Sequence, residues 1–218
     1  MEDYEETITR FLMMNNNWSG FIMDASEKNI SKIINSKYYW KYDLKAKALF
    51  ITKDNINELL KENVPFKDIG LLHIDLDGND YWIWKEIDLN IINPAIVILE
   101  YNSVFGKVPY NEKFVRTKEH FSNLYWGASL KALYDLSLKK GYSFIGCNSA
   151  GNNAYFIRND KLNEKIRPLT LEDGYIESKY RESRDEKGNK TYLAGHQRIE
   201  VIKGLMVLNT ETNQLERL

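Results

Sequence analysis

Residues 69–102 constrain the fold more than any other stretch of the chain. They read IGLLHIDLDGND, then YWIWKEI, then NPAIVILEYN. Residues 69–74 form a short, largely apolar run that includes His73, and Asp75 and Asp77 follow at its carboxyl end. Gly78 and Asn79 supply a turn. Tyr81, Trp82 and Trp84 then fall on a short amphipathic helix, and a second apolar strand over 95–99 ends in Glu100, Tyr101 and Asn102. Short apolar strands joined through a helix predict a parallel sheet covered on both faces. Ligands of such sheets bind beyond the carboxyl ends of the strands, where both polar clusters lie.

The flanking segments fit an α/β order. Residues 7–14 predict a helix with Ile8, Phe11 and Leu12 on its inner face, closed by the three asparagines 15–17. A strand over 21–23 ends in Asp24. A helix over 27–39 turns Ile30, Ile33 and Ile34 inward, and residues 48–52 read as the next strand. Asp54 is placed to cap the helix that carries Ile56, Leu59 and Leu60. A helix over 128–140 stops at Gly141. Residues 142–147 and 154–157 then predict two antiparallel strands. The long stretch 103–126, with Tyr110, Arg116, Lys118, His120, Tyr125 and Trp126, exceeds a plain connection and is expected to act as a substrate lid. Beyond residue 159 the pattern becomes charged. A helix near 172–184 is expected, then a polar turn over 185–190, then a hairpin or a terminal helix.

Composition narrows the function classes. The 218 residues carry a net charge of −1 with acidic and basic residues intermixed, so there is no nucleic-acid footprint. No run of about 18 apolar residues predicts a membrane span. The acidic N-terminus has no apolar leader, and a single cysteine, Cys147, excludes an internal disulfide. These features predict a cytoplasmic protein. Cys147 has no adjacent acid or histidine to activate it and reads as a structural thiol.

Five segments carry a family resemblance: NWSGFIMD (17–24), IDLDGNDYWIW, ILEYN, GASLKAL (127–133) and GYSFIGCNSAGNNAYF. In this order they resemble class I S-adenosylmethionine-dependent methyltransferases, specifically the FkbM-like branch, over about residues 7–160. The resemblance implies a Rossmann-like, mostly parallel sheet with helices on both faces and a C-terminal antiparallel strand pair. Residues 1–160 would form that domain, with 161–218 as an extension packed on it. The family's first strand and Gly-rich cofactor loop have no counterpart before the first helix, so the domain is expected to be N-terminally incomplete. The implied activity is O-methylation of a sugar or polyol hydroxyl, in a bacterial polysaccharide or secondary-metabolite pathway. The implied cofactor is S-adenosylmethionine, and the implied partner a small molecule or saccharide.

Each candidate residue has a functional and a structural reading. Asp24 accepts from the cofactor ribose or serves the loop before a helix. Asp54 borders the adenine or caps a helix. Asp75 is the first choice for a general base on the acceptor hydroxyl, or holds the cofactor's ammonium group. Asp77 contacts substrate or forms a turn with Gly78. Asn102 orients the acceptor, and Glu100 and Tyr101 line the same crevice, or all three serve loop backbone. Tyr110 and Arg116 are the lid's candidates for substrate contact. His73 reads as a packed core residue, and no second histidine has metal-ligand spacing. Two other functions remain open. The Asp75-x-Asp77 pair suits a metal-dependent glycosyltransferase acting on a nucleotide sugar. An inactive, truncated methyltransferase fold is the third.

Overall fold

A computed structural model describes residues 9–107, 110–111, 120–179 and 181–218, with only the backbone of Tyr110 and Asn111 described. The chain forms two compact units, residues 1–66 and 67–218. The extension expected from residue 161 thus belongs to the same unit as residues 67–160, and the division falls at residue 66.

The first unit runs α1 (Arg10–Asn16), β1 (Gly20–Asp24), α2 (Glu27–Ile34), β2 (Leu44–Ala48) and α3 (Ile56–Asn63). Strands β1 and β2 pair in parallel, Gly20 opposite Leu44 and Asp24 opposite Ala48. Met13, Ile30, Ile33, Tyr38, Leu44 and Ala46 form its core. Three expectations need correction. Helix α1 buries Met13 and leaves Phe11 exposed. Ile34 is likewise exposed, because α2 ends there and only Ile30 and Ile33 face the core. The strand expected over 48–52 lies at 44–48, where Leu44 and Ala46 point inward and Lys45 and Lys47 outward. That period-two alternation is the mark of a half-buried strand, and the more apolar residues after it leave Phe50 exposed.

The second unit is built around β3 (Leu71–Ile74), α4 (Asp80–Glu86), β4 (Ile96–Glu100), α5 (Leu130–Lys139), β6 (Tyr142–Cys147) and β7 (Asn153–Arg158). Its main sheet has the order β3-β4-β7-β6. Strands β3 and β4 are parallel, and β7 runs antiparallel to both β4 and β6. Strands β8 (Met206–Asn209) and β9 (Gln214–Arg217) form the hairpin that is one of the two expectations for the tail, and short β5 (Tyr110–Asn111), which is not expected, pairs with β8 to give a third sheet. The molecule is therefore mixed α/β, with a parallel pair, a mixed four-stranded sheet and a three-stranded antiparallel sheet.

Apolar and aromatic side chains fill the second unit. Trp84, Val97, Leu99, Leu133, Tyr142, Phe144 and Phe156 are almost wholly buried. Two polar groups within this core are paired: Trp84 Nε1 donates to Ser137 Oγ at 3.1 Å, and Tyr142 Oη to the Pro94 carbonyl at 2.7 Å. Helix α5 starts where Ser129 Oγ accepts from the Ala132 amide, a side-chain N-cap.

The C-terminal segment is tied to this sheet through its backbone. The helix expected near 172–184 is only α6 (Leu171–Gly174). Beyond it the chain extends: Tyr101 Oη donates to the Ile176 carbonyl, and the Ser178 amide donates to Ser103 Oγ at 3.1 Å. These non-local bonds replace the helical ones that residues 176–178 would otherwise make. Helix α7 (Gln197–Ile202) is held by Arg198, fully buried, which donates to Ser178 Oγ and Glu177 Oε1.

Gly151, in the β6–β7 turn, makes the closest approach to this segment. Its φ is +74°, and a Cβ there would sit 2.5 Å from the Ser178 nitrogen. Gly151→Ala combines left-handed strain with a backbone clash. It should cost about 2–4 kcal/mol in urea unfolding, and proteolysis within 175–180 should accelerate.

Candidate carboxylate site at the strand ends of the second unit

The site begins with register. Ile74 lies opposite Leu99 across the parallel β3–β4 pair, so Asp75 and Glu100 leave adjoining strands together. Glu100 in turn lies opposite Asn153 on β7. Because side chains alternate along a strand, His73, Glu100 and Asn153 share one face of the sheet.

Past β3 the chain turns sharply. Asp77 adopts a left-handed φ of +51° and Gly78 one of +105°. This turn aims the amides of Leu76 and Gly78 at the carboxylate of Asp80, the first residue of α4, at 3.4 and 3.2 Å. Asp80 is 2% exposed, whereas Asp75 and Asp77 are exposed to solvent. A second loop packs on the turn: a Cβ on Gly127 would meet the Gly78 Cα at 3.4 Å.

Asn102 holds that second loop. It is fully buried, donates to the Leu124 and Trp126 carbonyls at 2.8 and 2.9 Å, and accepts from the Val104 amide at 3.1 Å. Its amide is spent on backbone, which corrects the expectation that it orients an acceptor. Tyr101 is corrected in the same way. It is fully buried, and its hydroxyl is engaged with the Ile176 carbonyl.

Electrostatics define the rest. Burial, then the nearby Asp75 charge, raise the Asp80 carboxyl to about 7. Burial raises Glu100 to about 8, with Asp80 and Asp75 adding repulsion and Arg181 opposing it. Burial lowers the Arg181 guanidinium to about 10, Glu100 pulling it back up. Burial also depresses His73, against the pull of Asp75. Two buried polar atoms, His73 Nε2 and Asn153 Oδ1, lack a hydrogen-bond partner among the described residues. The arrangement is an under-neutralised carboxylate cluster that holds protons near neutral pH. It can donate hydrogen bonds, or release those protons when a cation docks.

Three members of this site, Asp80, Asn153 and Arg181, were not singled out from the sequence. Asp80 had a signal in its position at the start of a helix. Arg181 sits in the charged tail, where no periodicity marks it. Asp24 and Asp54 lie in the first unit. The Asp24 carboxylate accepts from the Ser26 amide at 2.6 Å and from Asn29 Nδ2 at 3.3 Å, so it organises the start of α2. Asp54 is exposed and does not cap α3; Asn55 occupies the N-cap position without a side-chain cap bond and instead exchanges hydrogen bonds with Thr52. Arg116 and the side chain of Tyr110 lie outside the described residues. His120 is bonded to Ser122 Oγ at 2.7 Å. Cys147 is a free, half-buried thiol raised by burial. Among the described residues no group of three acidic, histidine or cysteine side chains is placed to hold a metal ion, and no helix is long and apolar enough to cross a membrane.

No protein-family model, curated protein or solved structure matches the chain.

Two predictions arise here. A carboxyl that titrates higher folded than unfolded binds its proton more tightly in the native state. The stability it contributes is full at low pH and is lost as pH rises through its folded value. Asp80 and Glu100 should therefore erode stability as pH climbs toward 8. His73 acts oppositely, but only below its ordinary value of 6.5. Between pH 6.5 and 8.5, Glu100→Gln should gain on the wild type by about 1–3 kcal/mol, read from urea melts across that range. Asn102→Ala leaves backbone carbonyls without donors and should destabilise by about 2–3 kcal/mol in the same assay.

Proposed function

We propose that this protein is methyltransferase-like, binding S-adenosylmethionine and methylating a hydroxyl of a sugar or polyol. The observation that carries the reading is the carboxylate cluster of Asp75, Asp80 and Glu100 at the carboxyl ends of parallel strands. That is where an α/β sheet presents its ligand site. Two features of the main sheet also support a Rossmann-like reading of its architecture. Its first strands are parallel and joined through a helix, and it closes with an antiparallel pair. The reading rests on the second unit alone.

The donor set suits a cationic ligand. Asp80 and Glu100 hold protons because burial, and then the neighbouring carboxylates, oppose a further negative charge, with Arg181 as the counterweight to Glu100. An ammonium group placed beside them would favour their ionised forms. S-adenosylmethionine has such a group, and when bound it supplies a sulfonium methyl for in-line transfer to an oxygen. Asp75 is the exposed member of the cluster and is the candidate to take the proton of an acceptor hydroxyl. Glu100 would hold the cofactor's cationic end, with Asp80, buried against the Leu76 and Gly78 amides, adding negative field behind it. The loop clamped by Asn102 would limit water at the turn of Asp77 and Gly78.

Isothermal titration with S-adenosylmethionine at pH 7.5, in two buffers of different ionisation enthalpy, tests the reading. Saturable binding that releases protons is expected, and Glu100→Gln should reduce the release. Absence of binding, or binding without proton exchange, overturns it.

A further inference from the structure

We propose that a cleft in the C-terminal segment binds a small ligand through a carboxylate or phosphate group, with the Arg181 guanidinium as its principal anchor. The cleft has a volume of about 470 Å³ and is lined by Lys179, Arg181, Glu182, Lys190, Tyr192 and the chain around Leu193. Three cations thus face one carboxylate, on a chain whose overall net charge is −1. Glu182 is already engaged: it pairs with Arg184, and with Lys190 at 3.2 Å. The lining therefore favours an anion.

Arg181 is the distinctive group. Its guanidinium carbon lies over the Trp126 ring, 3.7 Å from the centroid, a cation–π contact that holds the head group in place. Among the described residues it makes no hydrogen bond or ion pair; Glu100 acts on it only through space. A planar, half-buried fork with unused donors is the geometry that receives carboxylate or phosphate bidentately.

The far wall is rigid and holds an aromatic ring outward. Ser183 and Thr191 share a hydroxyl hydrogen bond at 2.7 Å, and the Thr191 amide donates to the Ser183 carbonyl at 2.9 Å. The Arg184 amide donates to the Ser122 carbonyl at 3.1 Å. Tyr192 lies between Thr191 and Leu193, whose amide donates to Ser183 Oγ at 3.3 Å, and is kept at φ +53° and 83% exposed. A bulky residue in the left-handed region is unfavourable, and such conformations gather where a side chain must be presented. Its ring offers a stacking face to the uncharged part of a ligand, such as a pyranose ring.

The proposal shares Arg181 with the carboxylate site, but it needs no cofactor there and is tested without S-adenosylmethionine. Full-length protein is titrated calorimetrically with D-glucuronate, glucose 1-phosphate and neutral glucose, the first two separating carboxylate from phosphate. At least one anionic sugar should bind about tenfold or more tightly than glucose. Arg181→Met should lose about tenfold in affinity, and Arg181→Lys should lose less because charge remains while the fork is gone. Tyr192→Gly relieves the backbone strain, so its Tm should be equal or higher while affinity falls several-fold. That pairing separates presentation from folding if Arg181→Met melts early. No saturation by either anion at about 10 mM, equal binding of glucose, or unchanged affinity in both Arg181→Lys and Tyr192→Gly overturns the proposal.

Discussion

The parallel ladder between Leu71–Ile74 and Ile96–Glu100 decides what the second unit can do. With Ile74 opposite Leu99, the next residues are two carboxylates leaving adjacent strands on the same side of the sheet. A slip of one residue would turn Glu100 to the other layer and bury Tyr101 against different neighbours. The β4 residues hold that register because both faces of that strand are covered, whereas β3, at the sheet edge, is half-buried over Leu71, Leu72 and His73. Val97, Ile98 and Leu99 are almost wholly buried. Packing energy from the strand interior thus keeps like charges close that would otherwise separate. Asp80 and Glu100 respond by holding protons near neutrality.

The cluster and the loop around it depend on different kinds of polar contact. Asp80 is served by backbone amides, which lower its proton affinity but do not overcome burial. Asn102 works in reverse, supplying donors to the carbonyls of Leu124 and Trp126. One side chain shapes the electrostatics of the turn and the other shapes the backbone beside it. Their separation explains why a strand-end asparagine beside a candidate site is structural.

Legibility in the sequence followed the range of the forces involved. Continuous apolar runs announced β3, β4 and the β6–β7 pair, and from them the joint emergence of Asp75 and Glu100. Local turn chemistry announced Asp77 and Gly78. Strand β2 was misplaced because the run at 48–52 is more apolar, although the alternation at 44–48 is what buries Leu44 and Ala46. The helix near 172–184 failed for a non-local reason. Tyr101, Ser103 and Gly151, distant in sequence, take the backbone of residues 176–178 into an extended path. Arg181 was illegible because its partner, Trp126, lies on a loop that no periodicity connects to it. Tyr101 and Asn102 were placed correctly along the chain, but their hydrogen bonds, not their position, fix their roles.

The turn at residues 185–190 is secured at its base and unburdened at its tip. Asp185 organises the tip by accepting from the Lys187 and Asn189 amides, while Ser183, Thr191 and Ser122 fasten the stem. Sequence drift at Glu186 and Lys187 can therefore alter the rim, whereas Gly188, at φ +84°, is held to glycine.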